Sequence, residues 1–217
     1  MEIKDNIIKK KLENVYFIAG TNCGGKSSMA KALSEKHDMY FYSADSEYWN
    51  HRKISDEVSQ PNMNRPFLGW EDYFMRDAKK QAEWLIKAEK EEMDFIIVDL
   101  LEIASQTDKK IVVDIHRDVD LFKRISDYHR VIFLLAENDL IQKEYFGRED
   151  KNDMLVCIKR ETKDPDEAIN NVLKVAEIIG TIERNQALES GFFTHTRHEN
   201  TDFLKRIEIV EKHFKLI

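Results

Sequence analysis

Short apolar runs alternate with longer amphipathic segments along this chain. Runs rich in β-branched and aromatic residues predict strands that are covered on both faces, because a fully buried strand needs no alternating polar positions. The strands are predicted over residues 15–19, 39–43, 111–114, 131–135 and 192–195. Because helical periodicity separates them, the pattern predicts a five-stranded parallel sheet in a three-layer α/β/α sandwich.

The intervening segments predict helices of different lengths. They are expected over residues 27–36, 71–105, 121–128, in pieces over 139–159, from a cap at 164 to 188, and from Thr201 or Asp202 to 214. Residues 46–67 are polar and aromatic and predict a loop with a short helix. Residues 95–99 also suit a strand, but too little chain follows for a helical crossover to the next parallel strand, so helix is preferred.

Composition limits the class of protein. The chain has 217 residues, of which 42% are hydrophobic, and only 7 Gly and 3 Pro, which favours a single domain without flexible linkers. Its net charge of −7 argues weakly against a nucleic-acid partner. The polar, lysine-rich residues 1–12 and two isolated cysteines, Cys23 and Cys157, favour a reduced cytoplasmic protein without a thiolate zinc site or membrane span.

Residues 20–27 carry the sharpest motif in the chain. Their sequence, GTNCGGKS, matches G-x-x-x-x-G-K-[ST] at every fixed position and lies directly between a predicted strand and a predicted helix. This context indicates a P-loop that binds a nucleoside triphosphate, most simply ATP with Mg²⁺. The residues expected to contact the nucleotide are Gly20, Thr21, Asn22, Cys23, Gly24, Gly25, Lys26, Ser27 and Ser28.

Each residue type in this loop has a physical role. Glycines let the backbone approach the phosphates, and successive N–H groups with the following helix N-terminus attract the anion. Lys26 is expected to reach the β- and γ-phosphates, and the Ser27 hydroxyl to ligate Mg²⁺.

Two carboxylates follow predicted strands at the edge where the loop lies. Asp114 ends the third strand and is expected to hold Mg²⁺ with Ser27; the alternative is a strand-end residue that caps a loop. Asp45 follows the second strand and is expected to take a proton from an acceptor hydroxyl. The alternative for Asp45 is an N-cap of the next helix, and the two roles are compatible.

With these motifs, the chain resembles the small P-loop kinases, a group that includes gluconate, shikimate and nucleoside monophosphate kinases. The resemblance implies transfer of the γ-phosphate of ATP to a small-molecule acceptor. It also implies a helical acceptor-binding insert, here residues 46–106, and a mobile lid, here residues 140–165. Within the lid, Arg148 would reach the transferred phosphate with Lys151 as helper; a surface ion pair is the alternative for Arg148. The loop around Arg197 would pack on the nucleotide base.

The chain departs from the family where the acceptor is recognised. Residues 114–117, DIHR, keep only the acid and an arginine of the nucleoside monophosphate kinase motif, and the triple glycine of shikimate kinases is absent. Arg117, Arg52 and Arg65 could bind an anionic acceptor or be solvated. The aromatic residues of the insert could form a pocket or belong to the core: Trp49, Trp70, Tyr73, Phe74 and Trp84.

A second functional class is a nucleotide-dependent switch or slow ATPase that acts on a protein partner. Such a protein needs neither Asp45, nor Arg148, nor an aromatic insert, so these features favour the kinase. The sequence does not distinguish a hydroxyl from a phosphate acceptor.

Overall fold

The computed structural model describes residues 3–217, apart from the side chain of residue 149. Five strands form one sheet in the order β2-β3-β1-β4-β5, and each neighbouring pair is parallel. This confirms the predicted sheet. The strands are β1 (Val15–Gly20), β2 (Tyr40–Ser43), β3 (Ile111–Asp114), β4 (Val131–Ala136) and β5 (Phe193–Arg197).

Strand register brings the carboxyl ends of the strands to one edge. Asp114, the last residue of β3, lies beside Ile18 of β1 and Ser43 of β2. On the other side of β1, Gly20 is paired with Leu134 of β4. The segments that follow β1, β2 and β3 therefore meet at this edge, which is where ligands bind in open α/β sheets.

Ten α-helices are described: α1 (Asp5–Lys11), α2 (Lys26–His37), α3 (Ala44–Ile54), α4 (Trp70–Met75), α5 (Ala78–Gln106), α6 (Val119–Ile125), α7 (Asn138–Glu144), α8 (Asn152–Glu161), α9 (Pro165–Glu189) and α10 (Phe203–His213). Alternate strand residues divide the core between two faces. On one face Phe17 packs with side chains of α5, α6 and α9, and on the other Ile18 packs with α2 and α10. Both faces of the sheet are thus covered, as a parallel sheet requires.

The predicted helix over residues 71–105 is wrong in one respect, because the structure divides it into α4 and α5. Phe74 of α4 is buried against α8 and α9, which fixes the short helix in place. The Asn171 side-chain amide donates to the backbone carbonyls of Phe74 and Arg76, both at 2.7 Å. Asp77 then accepts a hydrogen bond from Lys80 N at 3.0 Å and caps α5. A side chain distant in sequence therefore stabilises the break.

Other boundaries follow local signals. The preference for helix over residues 95–99 is confirmed, since they lie inside α5. Asp164 caps α9 with Pro165 at its start, and Asp202, rather than Thr201, caps α10. Helix α1 was not predicted, since its seven residues carry little apolar periodicity. Within the described residues, none of the helices is long and apolar enough to cross a bilayer.

We expect Asp77→Ala to lower the free energy of unfolding by about 1 kcal/mol, because α5 would lose its side-chain cap. Urea unfolding monitored by circular dichroism measures this change. Asp94→Ala, on an exposed position of the same helix, is the matched control and should have little effect. Equal stability of the two variants would contradict the capping role.

Candidate functional site

The loop after β1 lies directly on the backbone of β4. Thr21 N donates to Leu134 O at 3.1 Å, and Gly24 N donates to Thr21 O at 3.2 Å. A Cβ at Gly20 or Gly24 would lie 2.0 Å or 2.2 Å from Leu134 O, so neither position accepts a side chain in this arrangement. Gly20, a fixed position of the motif, and Gly24, a variable one, therefore have a steric reason that is independent of the nucleotide.

Thr21 joins the loop to β4 a second time. Its side chain is buried, and Oγ1 accepts a hydrogen bond from Ala136 N at 2.7 Å. Since Ala136 is the last residue of β4, this bond satisfies a backbone N–H at the strand end. The variable positions of the motif thus also contribute to loop geometry.

Two arginines support the loop from the side of β5 and α10. Arg197 Nη1 donates to Cys23 O at 2.9 Å and also pairs with Glu144 at 2.7 Å. Arg206 Nη2 donates to Gly24 O at 2.5 Å. The Arg206 residue is only 3% exposed, and burial together with Arg197 lowers its pKa to about 10, so it remains cationic at neutral pH. The Arg206 charge adds to the positive potential of the loop, whereas the Arg197 charge is balanced by Glu144.

Arg206 was not among the sequence-predicted site residues. The available signal was an arginine on the buried face of an amphipathic helix, next to Ile207 and four residues before Val210. Arg197 was predicted to contact the nucleotide; it lines the groove over the loop and ends β5, rather than lying in the loop that follows.

Lys26, Ser27 and Asp114 lie close together where the loop meets the end of β3. Lys26 Nζ donates to Thr21 O at 3.3 Å. Asp114 is 6% exposed; burial raises its pKa, and the nearby Lys26 ammonium and Ser27 hydroxyl offset part of that rise. A buried carboxylate that is only partly compensated is a suitable place for a cation.

These residues fit Mg²⁺. The ion prefers oxygen ligands and commonly uses one or two protein groups, with substrate phosphates and water completing its shell. Ser27 and Asp114 supply one hydroxyl and one carboxylate. In the part of the chain that the structure describes, no cluster of three or more His, Cys, Asp or Glu side chains offers a cage of protein ligands. The phosphates would therefore have to supply further ligands.

Two cavities meet at the phosphate loop. A groove of about 680 Å³ runs over residues 21–28 towards β2 and Arg197. A more enclosed cavity of about 240 Å³ lies between α4, α5, α9 and the segment after α7. The side chains that line both are Lys26, Ser27, Asp45 and Arg148. A molecule in the cavity would thus face a phosphate held by the loop.

Asp45 lies at the junction of these cavities, as its position after β2 predicts. It is the second residue of α3, and Ser43 occupies the N-cap, so the alternative of an Asp45 cap is wrong. Its side chain is 77% exposed, and Oδ1 lies 3.7 Å from His116 Nε2. The carboxylate is therefore available to a ligand on one side and held by an imidazole on the other.

His116 connects Asp45 to carboxylates beneath the cavity. Its Nε2 lies 3.3 Å from Glu92, and its Nδ1 lies 4.0 Å from Glu89. Burial alone would lower its pKa, but Glu89, Glu92 and Asp45 outweigh that effect and raise the pKa of His116 to about 9. The imidazole is thus cationic at neutral pH. Sequence reasoning missed this role, although His116 stands two residues after Asp114.

A second histidine extends the network inside the protein. His51 Nδ1 lies 2.8 Å from Glu92, and its Nε2 lies 2.9 Å from Asp99. Tyr42 donates its hydroxyl to the same Asp99 oxygen at 2.8 Å. The chain of contacts ties α3 and α5 to β2, and it keeps Glu92 fixed beneath His116.

Arg148 lies between the loop and the segment after α7. Its Nη1 donates to Asn22 Oδ1 at 3.3 Å, while Nε and Nη2 bind Asp150 at 2.9 Å and 2.8 Å. Lys151 is 3.4 Å from the same carboxylate. Arg148 therefore makes an ion pair, as the alternative interpretation held, and also lines both cavities as the lid hypothesis requires.

Among the described residues, the other candidate arginines do not line the cavity. Arg117 is buried, and its Nη1 binds Glu183 at 2.7 Å and Glu89 at 3.2 Å. Its predicted solvation is therefore wrong. Arg52 donates to a backbone carbonyl at 2.9 Å, and Arg65 lies over an aromatic ring outside the cavity.

The insert aromatics divide between several roles. Tyr73 and Phe74 line the cavity, whereas Trp49 is 63% exposed. Trp84 donates its indole N–H to Asn62 O at 2.8 Å and does not line the cavity. Trp70 stacks on Phe74 from outside. The pocket and core interpretations each hold for part of the set.

We expect the His116 imidazolium to make stability depend on pH. Its pKa is about 9 in the folded chain against 6.5 for the ordinary group, so its stabilisation is complete below pH 6.5 and is lost as pH rises through 9. This loss amounts to about 3 kcal/mol. Urea unfolding at a series of pH values should show the decline in wild type and His198→Gln, and little of it in His116→Gln. The same decline in all three would contradict the assignment.

We expect Arg206→Met to weaken binding of ATP about tenfold, because a buried cation beside the phosphates is lost. Titration calorimetry with Mg²⁺ and ATP measures the affinity. Lys205→Met, at the adjacent exposed position of α10, is the control and should bind like wild type. Unchanged affinity in Arg206→Met would show that the arginine only supports the fold.

Comparisons with known proteins agree with this geometry. The "AAA domain" family model matches residues 17–164. The structure of TT1252 from Thermus thermophilus aligns with a TM-score of 0.52 and 16% identity, over 93% of this chain and 96% of that one. Shikimate kinase from Bacteroides thetaiotaomicron aligns with a TM-score of 0.50 and 14% identity, over 93% and 97%.

Because both sequence identities are low, these structural similarities establish the fold alone. Among curated proteins, none matches this chain significantly in sequence. The family model, however, covers more than half of the chain, including the whole phosphate loop. The chain therefore belongs to the AAA domain family, and its fold is similar to that of shikimate kinase from Bacteroides thetaiotaomicron.

Proposed function

We propose that this protein transfers the γ-phosphate of ATP to a small-molecule acceptor. The observation that carries the proposal is the meeting of an open groove over the P-loop with an enclosed cavity at four shared side chains: Lys26, Ser27, Asp45 and Arg148. A nucleotide switch requires the groove alone. An enclosed second cavity that shares a lysine, a carboxylate and an arginine with the groove favours transfer to a second molecule.

The nucleotide is held by groups already fixed in the fold. Backbone N–H groups of the loop and the N-terminus of α2 face the phosphates, and Lys26 neutralises charge on the β- and γ-phosphates. Arg197 and Arg206 hold the loop in place by donating hydrogen bonds to the carbonyl oxygens of Cys23 and Gly24. Mg²⁺, bound by Ser27 and Asp114, would supply further neutralisation of the phosphate charge.

Asp45 is the proposed proton acceptor. Its largely exposed carboxylate faces the cavity and lies 3.7 Å from the His116 imidazole. His116 is already cationic at neutral pH, so it cannot take the proton itself. It instead orients Asp45 and balances its charge. The acceptor oxygen can then attack phosphorus while its proton passes to Asp45.

Arg148 is proposed to neutralise the phosphoryl group during transfer. It lines both cavities and already contacts Asn22 of the loop. Two hydrogen bonds to Asp150 hold the planar guanidinium in a fixed orientation. This orientation lowers the entropic cost of ordering the side chain during the reaction. Residues 140–165 remain the proposed lid, and residues 46–106 the proposed acceptor-binding insert.

We expect label from γ-labelled ATP to appear in one new compound when wild type is incubated with Mg²⁺ and a pool of nucleosides, nucleotides, sugar acids and amino sugars. Lys26→Ala should abolish this transfer, because the phosphates lose their main cationic partner. Mass analysis of labelled products identifies the acceptor.

The same assay tests Asp45. Asp45→Asn should lower the transfer rate about 10²- to 10⁴-fold, while Asp108→Asn, an exposed position before β3, should retain wild-type turnover. Label found only in free phosphate, or nowhere despite ATP binding, would instead support a nucleotide-dependent switch that acts on a protein partner.

A further inference from the structure

The cavity beside the P-loop is lined by acids that the phosphate chemistry does not use. Glu89 of α5 and Glu183 of α9 both face it. Its basic residues are Lys26 of the loop, His116 after β3, and Arg148 and Lys151 of the segment after α7, which are paired with Asp150. Outside the loop, each cation that lines the cavity in the described chain already contacts a carboxylate.

Glu183 has an incomplete set of partners. Its side chain is 8% exposed, and Oε1 accepts a hydrogen bond from Arg117 Nη1 at 2.7 Å. Its Oε2 is buried and has no hydrogen-bond partner among residues 3–217. Burial raises the pKa of Glu183, although Arg117 and Lys26 offset part of the rise. A carboxylate oxygen in this position stabilises the protein only when a donor reaches it.

The acids at this end of the cavity share their basic partners. Arg117 is shared between Glu183 and Glu89, and His116 is shared between Glu92, Asp45 and Glu89. With His51, which also contacts Glu92, three basic side chains thus serve these four carboxylates. A ligand that brings positive charge would be attracted to this side of the cavity, whereas a carboxylate or second phosphate would be repelled.

The rest of the wall is apolar. Phe74 and Leu85 line it from α4 and α5, and Val175 and Ile179 line it from α9. The Asn171 and Gln81 amides also line it, but both already bond within the protein. At about 240 Å³ the cavity lies just below the volume of drug-binding pockets, so its occupant is compact.

We infer that the phosphoryl acceptor is a compact hydroxylated amine, such as an amino alcohol or amino sugar, whose ammonium group binds between Glu89 and Glu183 while its hydroxyl lies at Asp45. This inference rests on the proposed function and names its substrate class. In the reaction, the hydroxyl oxygen forms a bond to the γ-phosphorus as the bridging P–O bond to ADP breaks. The bonding electron pair leaves with ADP, the hydroxyl proton passes to Asp45, and the ammonium group is unchanged.

Binding is the first test. Wild type loaded with Mg²⁺ and a non-hydrolysable ATP analogue is titrated by calorimetry with a panel of hydroxylated amines. Each amine is paired with its N-acetyl derivative and with a hydroxy acid of similar size. We expect at least one amine to bind more than about tenfold tighter than both of its partners. Equal or tighter binding of the neutral or acidic partners, or no binding by any amine, would overturn the inference.

Substitutions of single glutamates test which carboxylate binds the ammonium group. Glu183→Gln keeps an oxygen for Arg117 but removes the negative charge, so affinity for the amine should fall about tenfold while affinity for the ATP analogue stays unchanged. Glu189→Gln, at an exposed position of the same helix, is the control and should bind as wild type. If Glu183→Gln fails to fold, Glu89→Gln tests the same charge at a side chain that is 25% exposed. Wild-type amine affinity in the folded variant would contradict the assignment.

The transfer assay separates the two proposals. Amines that bind but receive no phosphate would contradict the proposed kinase function and would still support the ammonium-binding site. Transfer to hydroxy acids in preference to amines would support the kinase and defeat the assigned substrate class.

Discussion

The phosphate loop depends on a close approach between two backbones. Gly20 and Gly24 lie so near Leu134 O that a methyl group at either position would overlap it. Thr21 then joins the loop to both Leu134 and Ala136 by hydrogen bonds. Because β4 is a fully buried inner strand of the sheet, its backbone holds the loop in a fixed position. The positions of Lys26, Ser27 and the start of α2 follow from this contact.

A second constraint is the burial of charge next to the loop. Asp114, Glu92 and Glu183 are all at least nine-tenths buried at the end of the sheet where α5 and α9 pack together. Such groups are stable in a protein only when cations or donors face them. His116 and Arg117, adjacent in sequence, supply much of that compensation. The remaining acidity gives the cavity its proposed preference for an amine, and the loop cations give the groove its preference for phosphate.

Local patterns made much of this structure predictable. The strands are continuous apolar runs, so the sheet could be predicted from sequence. The fixed spacing of the P-loop motif in turn predicted the position of Lys26 in the loop. Asp45 and Asp114 were identified because residues directly after parallel strands must reach the same edge. The nucleotide-binding roles of the individual loop residues, and the roles of Asp45, Asp114 and Arg148, stay predictions that the experiments above test.

What sequence did not reveal depends on contacts between distant segments. Glu183 meets Arg117 across 66 positions of chain, and no short motif marks either residue. Arg206 reaches the loop across 182 positions. The break between α4 and α5 is stabilised by Asn171, a residue distant in sequence. The helical periodicity of the local sequence continues through the break and therefore did not reveal it. Packing of α9 against α5 brings these groups together, and that packing is a property of the whole fold.

Our expectation is that the groove over the P-loop and the cavity at His116 form one site. It is tested most directly by NMR of the histidine ring protons after addition of ATP with Mn²⁺, whose unpaired electrons broaden nearby resonances. His213 serves as the internal reference, because it binds Val131 O at the opposite edge of the sheet. We expect strong broadening of the His116 resonances and little change at His213. Equal broadening of the two, or broadening that spares His116, would contradict it.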